Sequence, residues 1–143
     1  MTINQLSVFA ENKPGAIAEI TDALGAAGVD IRAMSIADTS DFGIFRLIVN
    51  HVDDAMKALS DIGCIVSVTP IIAVMIPDNP GALNGILKLL SENNVNVEYM
   101  YAFVTMSKQN AYAVIRVEDN DSAVKLLTEN NIPLVTEADI AKL

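Results

Sequence analysis

The chain has 143 residues, 52% of them apolar and 19% charged, enough for one ordinary domain or two very small ones with a real core. Its net charge of −9 is spread evenly, with nine acidic and four basic side chains in residues 1–70 and nine and five in 71–143. Without a Lys/Arg cluster, such a surface repels phosphate backbones, so nucleic acid is not an expected partner. The longest apolar runs, Pro70 to Pro77 and Cys64 to Val68, are strand-length and far too short to span a membrane. Met1-Thr2-Ile3-Asn4-Gln5 lacks the basic start and apolar block of a secretory signal. The single cysteine, Cys64, excludes a disulfide framework and is read as a buried, inert thiol in a reduced, cytoplasmic setting.

In chain order, Leu6 to Ala10 reads as a strand ended by Asn12-Lys13-Pro14-Gly15. A helix follows with Ile17, Ile20, Leu24 and Ala27 along one face and Gly28 placed to end it. Val29 to Ala37 is the second strand, Asp38-Thr39-Ser40-Asp41 a polar turn, and Gly43 to Val49 the third strand. Asp53 is placed to cap a second helix carrying Ala55, Met56, Leu59 and Ile62, and Cys64 to Val68 closes the unit. The order then repeats with Ile71–Ile76, Leu83–Glu92, Val95–Thr105, Ala111–Val117, Ser122–Asn130 and Leu134–Thr136. Thr136-Glu137-Ala138-Asp139 is a capping-box pattern for a short terminal helix.

The repeat is visible in the residues. Pro14-Gly15-Ala16 matches Pro80-Gly81-Ala82, and Ile20, Leu24, Val29 and Met34 match Ile86, Leu90, Val95 and Met100. Further on, Phe45 is set against Tyr112, Ile48 against Ile115, and Asp53-Asp54-Ala55 against Asp121-Ser122-Ala123. The predicted class is α+β: two ferredoxin-like βαββαβ units, 1–69 and 70–143, each a four-stranded antiparallel sheet with two helices on one face. The boundary at Thr69-Pro70 leaves almost no linker.

In this topology the first and second strands are parallel, with the third between them, so their carboxyl ends share one edge of the sheet. That edge gathers Asn12–Ala16 with Ser35–Asp38 in the first unit, and Asp78–Leu83 with Tyr101–Phe103 in the second. Pro14 suits a first helical position, and Gly15 lets a ligand approach the backbone. The amides of Gly15, Ala16 and Ile17 then stand as first-turn donors for a carboxylate, while Asn12, Asp78 and Asn79 either meet an ammonium or cap the helix. The plain alternative is that Pro-Gly only starts a helix. Tyr99 and Tyr101 share a strand face, as pocket lining or as half-buried sheet residues. Met34, Met56, Met75, Met100 and Met106 are read as core filling.

Catalytic patterns are missing. His51, the only histidine, reads as a solvated turn residue, and no metal motif, nucleophile elbow, phosphate loop or dinucleotide glycine motif is present. Phe45 and Tyr112 fall on third strands, but without the basic surroundings that RNA binding needs. No enzymatic activity, cofactor or metal is expected.

Asn-Lys-Pro-Gly-Ala with Ile17, Ile20, Leu24 and Gly28-Val29-Asp30-Ile31 resembles the signature of the ACT domain. Asp78-Asn79-Pro80-Gly81-Ala82-Leu83 with Val95-Asn96-Val97 resembles a second, so the likeness covers nearly the whole chain. It implies a regulatory module that binds an amino acid or similar zwitterion between facing copies. By position it nominates Asn12, Lys13, Pro14, Gly15, Ala16 and Ile17, then Asp78, Asn79, Pro80, Gly81, Ala82 and Leu83. Facing contacts would come from Ser35, Ile36, Ala37, Tyr101, Ala102 and Phe103. Asn12 against Asp78, and Gly28-Val29-Asp30 against Asn94-Val95-Asn96, imply two inequivalent sites. The resemblance further implies a homodimer and a regulated enzyme on a separate chain. The rival reading is a protein–protein interaction module with a vestigial ligand site.

Overall fold

The computed structural model describes residues 1–38, 40–105 and 110–143, and nothing of the Asp38 side chain. Thr39 and Met106, which the sequence reading placed in a turn and in the core, lie outside the described residues. The elements are β1 (Ile3–Glu11), α1 (Ala16–Ala26), β2 (Ile31–Asp38), β3 (Phe42–Val49), α2 (Val52–Asp61), β4 (Val66–Pro77), α3 (Ala82–Glu92), β5 (Tyr99–Ala102), β6 (Asn110–Arg116), α4 (Asn120–Glu129) and α5 (Glu137–Lys142). Two βαββαβ units share one antiparallel sheet of order β2-β3-β1-β4-β6-β5.

Strand β4 runs straight through Thr69-Pro70. Its first half, Val66 to Ile71, pairs with β1 and its second, Ile72 to Pro77, with β6. Pro70 lacks an N–H, but it sits where the strand passes from one partner to the other, so little ladder is lost. The period of two along β4 decides the layering. Val66 joins the first core, with Leu6, Val8, Phe45 and Leu47 of the sheet and Ile20, Leu24 and Leu59 of α1 and α2. Ile72, Val74 and Ile76 join the second, under Ile86 and Leu90 of α3 and Leu127 of α4. Ile71 and Ala73 point the other way, into a third core with Ile3, Ala33, Ile48, Val114, Val135 and Ile140. The helix pairs therefore lie on one face of a curled sheet, and the third core fills its inner face. The curl brings the two end strands together: Ala33 of β2 bridges Phe103 just beyond β5, and Val104 donates its N–H to Arg32 O at 2.9 Å.

Several expectations are corrected. The second strand of the second unit is short, Tyr99–Ala102, and Val95 and Val97 ahead of it pack against the second core outside the ladder. Leu134–Thr136 contributes one bridge, Val74 to Leu134, flanked by bonds from Met75 N to Pro133 O and Val135 N to Ala73 O, both 2.9 Å. The fourth strand of the first unit starts at Val66, since Cys64 N is held by Leu59 O in the turn ending α2. His51, not Asp53, occupies the N-cap of α2, and no side chain caps it. The pairs Leu6–Leu47 and Ile72–Ile115 make Leu47 the counterpart of Ile115 and Phe45 that of Ala113, one residue beyond the register read from sequence. Met34 is 47% exposed on edge strand β2, not core filling.

The ends of α1 and α3 show the repeat locally. Val29 N reaches Leu24 O and Gly28 N reaches Gly25 O, and the same pair of bonds closes α3 through Val95 and Asn94. Asn94, at φ 58, stands where the first unit has glycine. The expected capping box also forms: Thr136 Oγ1 accepts from Asp139 N, and Asp139 accepts from Thr136 N. It aims Ile140 of α5 into the third core.

Candidate ligand site at the Pro-Gly turns

The two Pro-Gly segments adopt one geometry. Gly15 has φ 85 and ψ −12, Gly81 φ 87 and ψ −9, and Ala16 N and Ala82 N donate back to Lys13 O and Asn79 O at 3.3 and 3.2 Å. With proline second and a left-handed glycine third, each is a type II turn placed ahead of the helix. This corrects the expectation that Pro14 is the first helical residue: α1 begins at Ala16, with Gly15 as its N-cap. Ala16 N is occupied by the turn, so the donors facing outward are the amides next in the first turn, Ile17 and Ala18. No side chain caps α1 or α3, so Asn12, Asp78 and Asn79 do not cap them.

The expected edge is present in the first unit. Gly43 on β3 lies between Ala10 of β1 and Asp38 of β2, and Asn12 N donates to Asp41 O at 2.9 Å. A groove of about 260 Å³ opens beside the turn, lined by Lys13, Ala16, Glu11 and Glu19 with Phe9 and Ile65. Of the nominated loop residues only Lys13 and Ala16 line it. Ile17 packs against the first core, and the other nominees there are exposed. Lys13 meets Glu11 at 2.9 Å, and the hydrogen bond and charge of Glu11 hold its ammonium above the usual lysine range. Glu11, Glu19 and the 62–65 turn escaped the sequence reading, because only the return of β4 beside β1 brings that turn to α1. Cys64 also lines this groove and is half-buried; burial pushes its thiol up, so the residue is unactivated.

In the second unit Asp78 to Gly81 are exposed, and Leu83 is 39% exposed. The nominated facing residues lie elsewhere. Ser35 is half-buried opposite Arg46, Ile36 and Ala37 are exposed on edge strand β2, Ala102 is exposed, and Phe103 packs on Tyr112 with ring centroids 5.7 Å apart. Tyr99 and Tyr101 do share a face, stacked at 6.4 Å, and both are half-buried. Gln5, the one buried polar residue among those described, donates from Nε2 to Tyr99 Oη at 2.9 Å, while Tyr101 Oη donates to Gln5 Oε1 at 2.6 Å. Burial drives the Tyr101 phenol well above the ordinary value of 10.0. Among the described residues, no hydrogen bond or ring contact joins the first turn to Tyr101–Phe103, or the second to Ser35–Ala37.

His51 is exposed, and no group of three or more His, Cys, Asp or Glu capable of holding a metal occurs among the described residues. No described helix is long and apolar enough to cross a membrane.

The architecture is that of a tandem ferredoxin-like protein with a Pro-Gly turn at the head of the first helix of each unit. The chain belongs to the ACT domain pair family, which it matches over residues 1–143. Among solved structures it is similar to a protein of Bacteroides thetaiotaomicron, at 38% identity and TM-score 0.92, covering 100% of this chain and 98% of that one. It is also similar to the regulatory subunit of aspartate kinase from Thermus thermophilus, at 16% identity and TM-score 0.61, covering 88% and 90%. The corresponding subunit from Thermus flavus stands at 18% and 0.57, with the same coverage. At those identities the two Thermus proteins share the fold. No curated protein matches the sequence.

Proposed function

We propose that this chain is a cytoplasmic regulatory protein, not an enzyme, that binds a free amino acid or similar small zwitterion at its Pro-Gly turns and acts on a protein of a separate chain. The observation that carries the reading is the duplicated type II turn, which presents uncapped helix N-terminal amides at matched positions of units 1–69 and 70–143. In the first unit the amides of Ile17 and Ala18 receive the carboxylate, Glu11 and Glu19 receive the ammonium, and the apolar lining of the groove takes the side chain. The nominated strand residues of the same chain do not meet the turns, so a second copy of the chain supplies Ser35–Ala37 and Tyr101–Phe103, in a homodimer. Regulation then works by differential affinity, the ligand favouring one arrangement of the copies.

A thermal-shift screen against the twenty common amino acids, confirmed by calorimetry, tests this. A ligand at about 100 times its dissociation constant stabilises the native state by roughly 2.7 kcal/mol, several degrees for a chain of this size. No shift with any amino acid refutes the reading and favours protein docking. The observation on that side is the exposed apolar lining of the same groove, where Phe9 is 53%, Phe42 49% and Ile65 74% exposed.

A further inference from the structure

The inner face of the sheet is polar in the first unit where it is core in the second. Strand pairing sets Arg46, Ser7 and Ser67 in one row across β3, β1 and β4, and pairs Gln5 with Thr69 beside it. The matching ladders make Ile71, Ala73 and Val114 the counterparts of Gln5, Ser7 and Arg46, and all three are buried in the third core. Duplication thus supplies an internal comparison. One copy spends these positions on packing, and the other keeps an arginine and hydroxyls there.

The polar row lines a cavity of about 410 Å³, to which β5 and β6 add Tyr99 and its cross-strand neighbour Arg116. The Arg46 guanidinium lies 4.0 Å from the centroid of the Tyr99 ring. Its Nε is buried without a hydrogen-bond partner, a costly arrangement for a charged group, and no carboxylate pairs with it among the described residues. Arg116 is held only loosely, Nε to Glu98 Oε2 at 3.4 Å. Tyr99 Oη accepts from Gln5, so its own proton is available. No Asp or Glu lines the cavity, in a chain with 18 acidic and 9 basic side chains. Beyond the polar row the lining is apolar, Ile44, Phe9 and Ile65, and the last two also line the groove at the first turn.

We propose that this cavity binds a small organic anion, a carboxylate or phosphate on an apolar body, with Arg46 as the principal contact and Arg116 as the second. The planar guanidinium fork matches either head group, and the volume suits a small molecule. An α-amino acid fits poorly, since no carboxylate lines the cavity to pair with its ammonium beside two arginines. The site is therefore separate from the Pro-Gly turns, and stands or falls apart from them.

Calorimetry on the full chain at low ionic strength, with benzoate, phenyl phosphate and phenylalanine as probes, tests the proposal. Benzoate or phenyl phosphate binds, the tighter of the two assigns the head group, and affinity falls as salt rises. Arg46→Gln weakens that binding at least tenfold at an unchanged unfolding temperature, Arg46→Lys weakens it less, and phenylalanine binding does not respond to either. Arg116→Gln gives a second, independent loss if Arg46→Gln does not fold. Gly15→Ala and Gly81→Ala leave the anion affinity unchanged, whatever they do to amino-acid binding. Failure of both anions to bind wild-type protein at millimolar concentration, or equal affinity in wild type, Arg46→Gln and Arg116→Gln, overturns it.

Discussion

Alanine at Gly15 and alanine at Gly25 should move stability in opposite directions, although the two residues sit ten positions apart and neither has a crowded surrounding. A Cβ added at either meets nothing within 4 Å, so packing contributes no difference and the backbone decides. At Gly15, φ 85 places a non-glycine residue in the left-handed region, at a cost of about 1–2 kcal/mol. Gly25 lies within α1, where alanine is better than glycine by about 0.5–1 kcal/mol. The gap between the two variants is then roughly 2 kcal/mol, which for a chain of this length amounts to about 5–8 °C in Tm. Gly81 and Gly85 repeat the comparison in α3 and its turn, with φ 87 at Gly81 and open space at both. Differential scanning calorimetry of the four alanine variants measures it without any ligand. Asparagine, which tolerates the left-handed region, should fall between glycine and alanine at position 15. If Gly15→Ala and Gly81→Ala are as stable as wild type, the type II turns are wrong, and with them the uncapped amides on which the ligand reading rests.

Tyr101 should titrate later than an ordinary phenol, because burial raises its folded-state pKa above the unfolded value near 10. Above pH 10 the unfolded chain therefore releases this proton first, and stability declines as pH rises from there; Tyr101→Phe should flatten the decline in alkaline denaturation curves, and an unchanged slope would refute it. Gln5→Ala leaves the phenols of Tyr99 and Tyr101 without their shared partner, and urea denaturation should report a loss of about 1–3 kcal/mol; a loss under half of that would show the network to be dispensable. Thr136→Ala removes the cap of α5 and should cost about 1 kcal/mol, with faster amide exchange at Ile140 than in wild type. Cys64, half-buried with its thiol pushed up, should react with a thiol reagent more slowly in folded than in unfolded protein, and equal rates would contradict its placement.

Much of the fold was legible because apolar periodicity and turn residues are local signals. Ile20, Leu24, Ile86 and Leu90 at helical spacing, Pro-Gly ahead of each helix, and Thr136 three residues before Asp139 each state a short-range preference that the structure keeps. The candidate site was legible only in its backbone half. Pro14-Gly15 and Pro80-Gly81 announce a turn, but the opposite wall of the groove, the 62–65 turn, arrives through the return of β4 beside β1, a contact between segments far apart in sequence.

The residues by themselves determined the duplication, the order of elements and the Pro-Gly turn ahead of the first helix of each unit, since each depends on neighbours a few positions away; that no side chain caps those helices was decided by the structure. Tertiary structure alone decided that β4 serves both units in a single strand, that the sheet curls until Ala33 meets Phe103, and that the third strands match one residue later than the sequence suggests. It also decided that the Arg46 guanidinium lies over the Tyr99 ring. The physical reason is the two-residue period of a strand: a shift of one position exchanges the inner and outer faces, and only pairing with the neighbouring strands fixes which face is which.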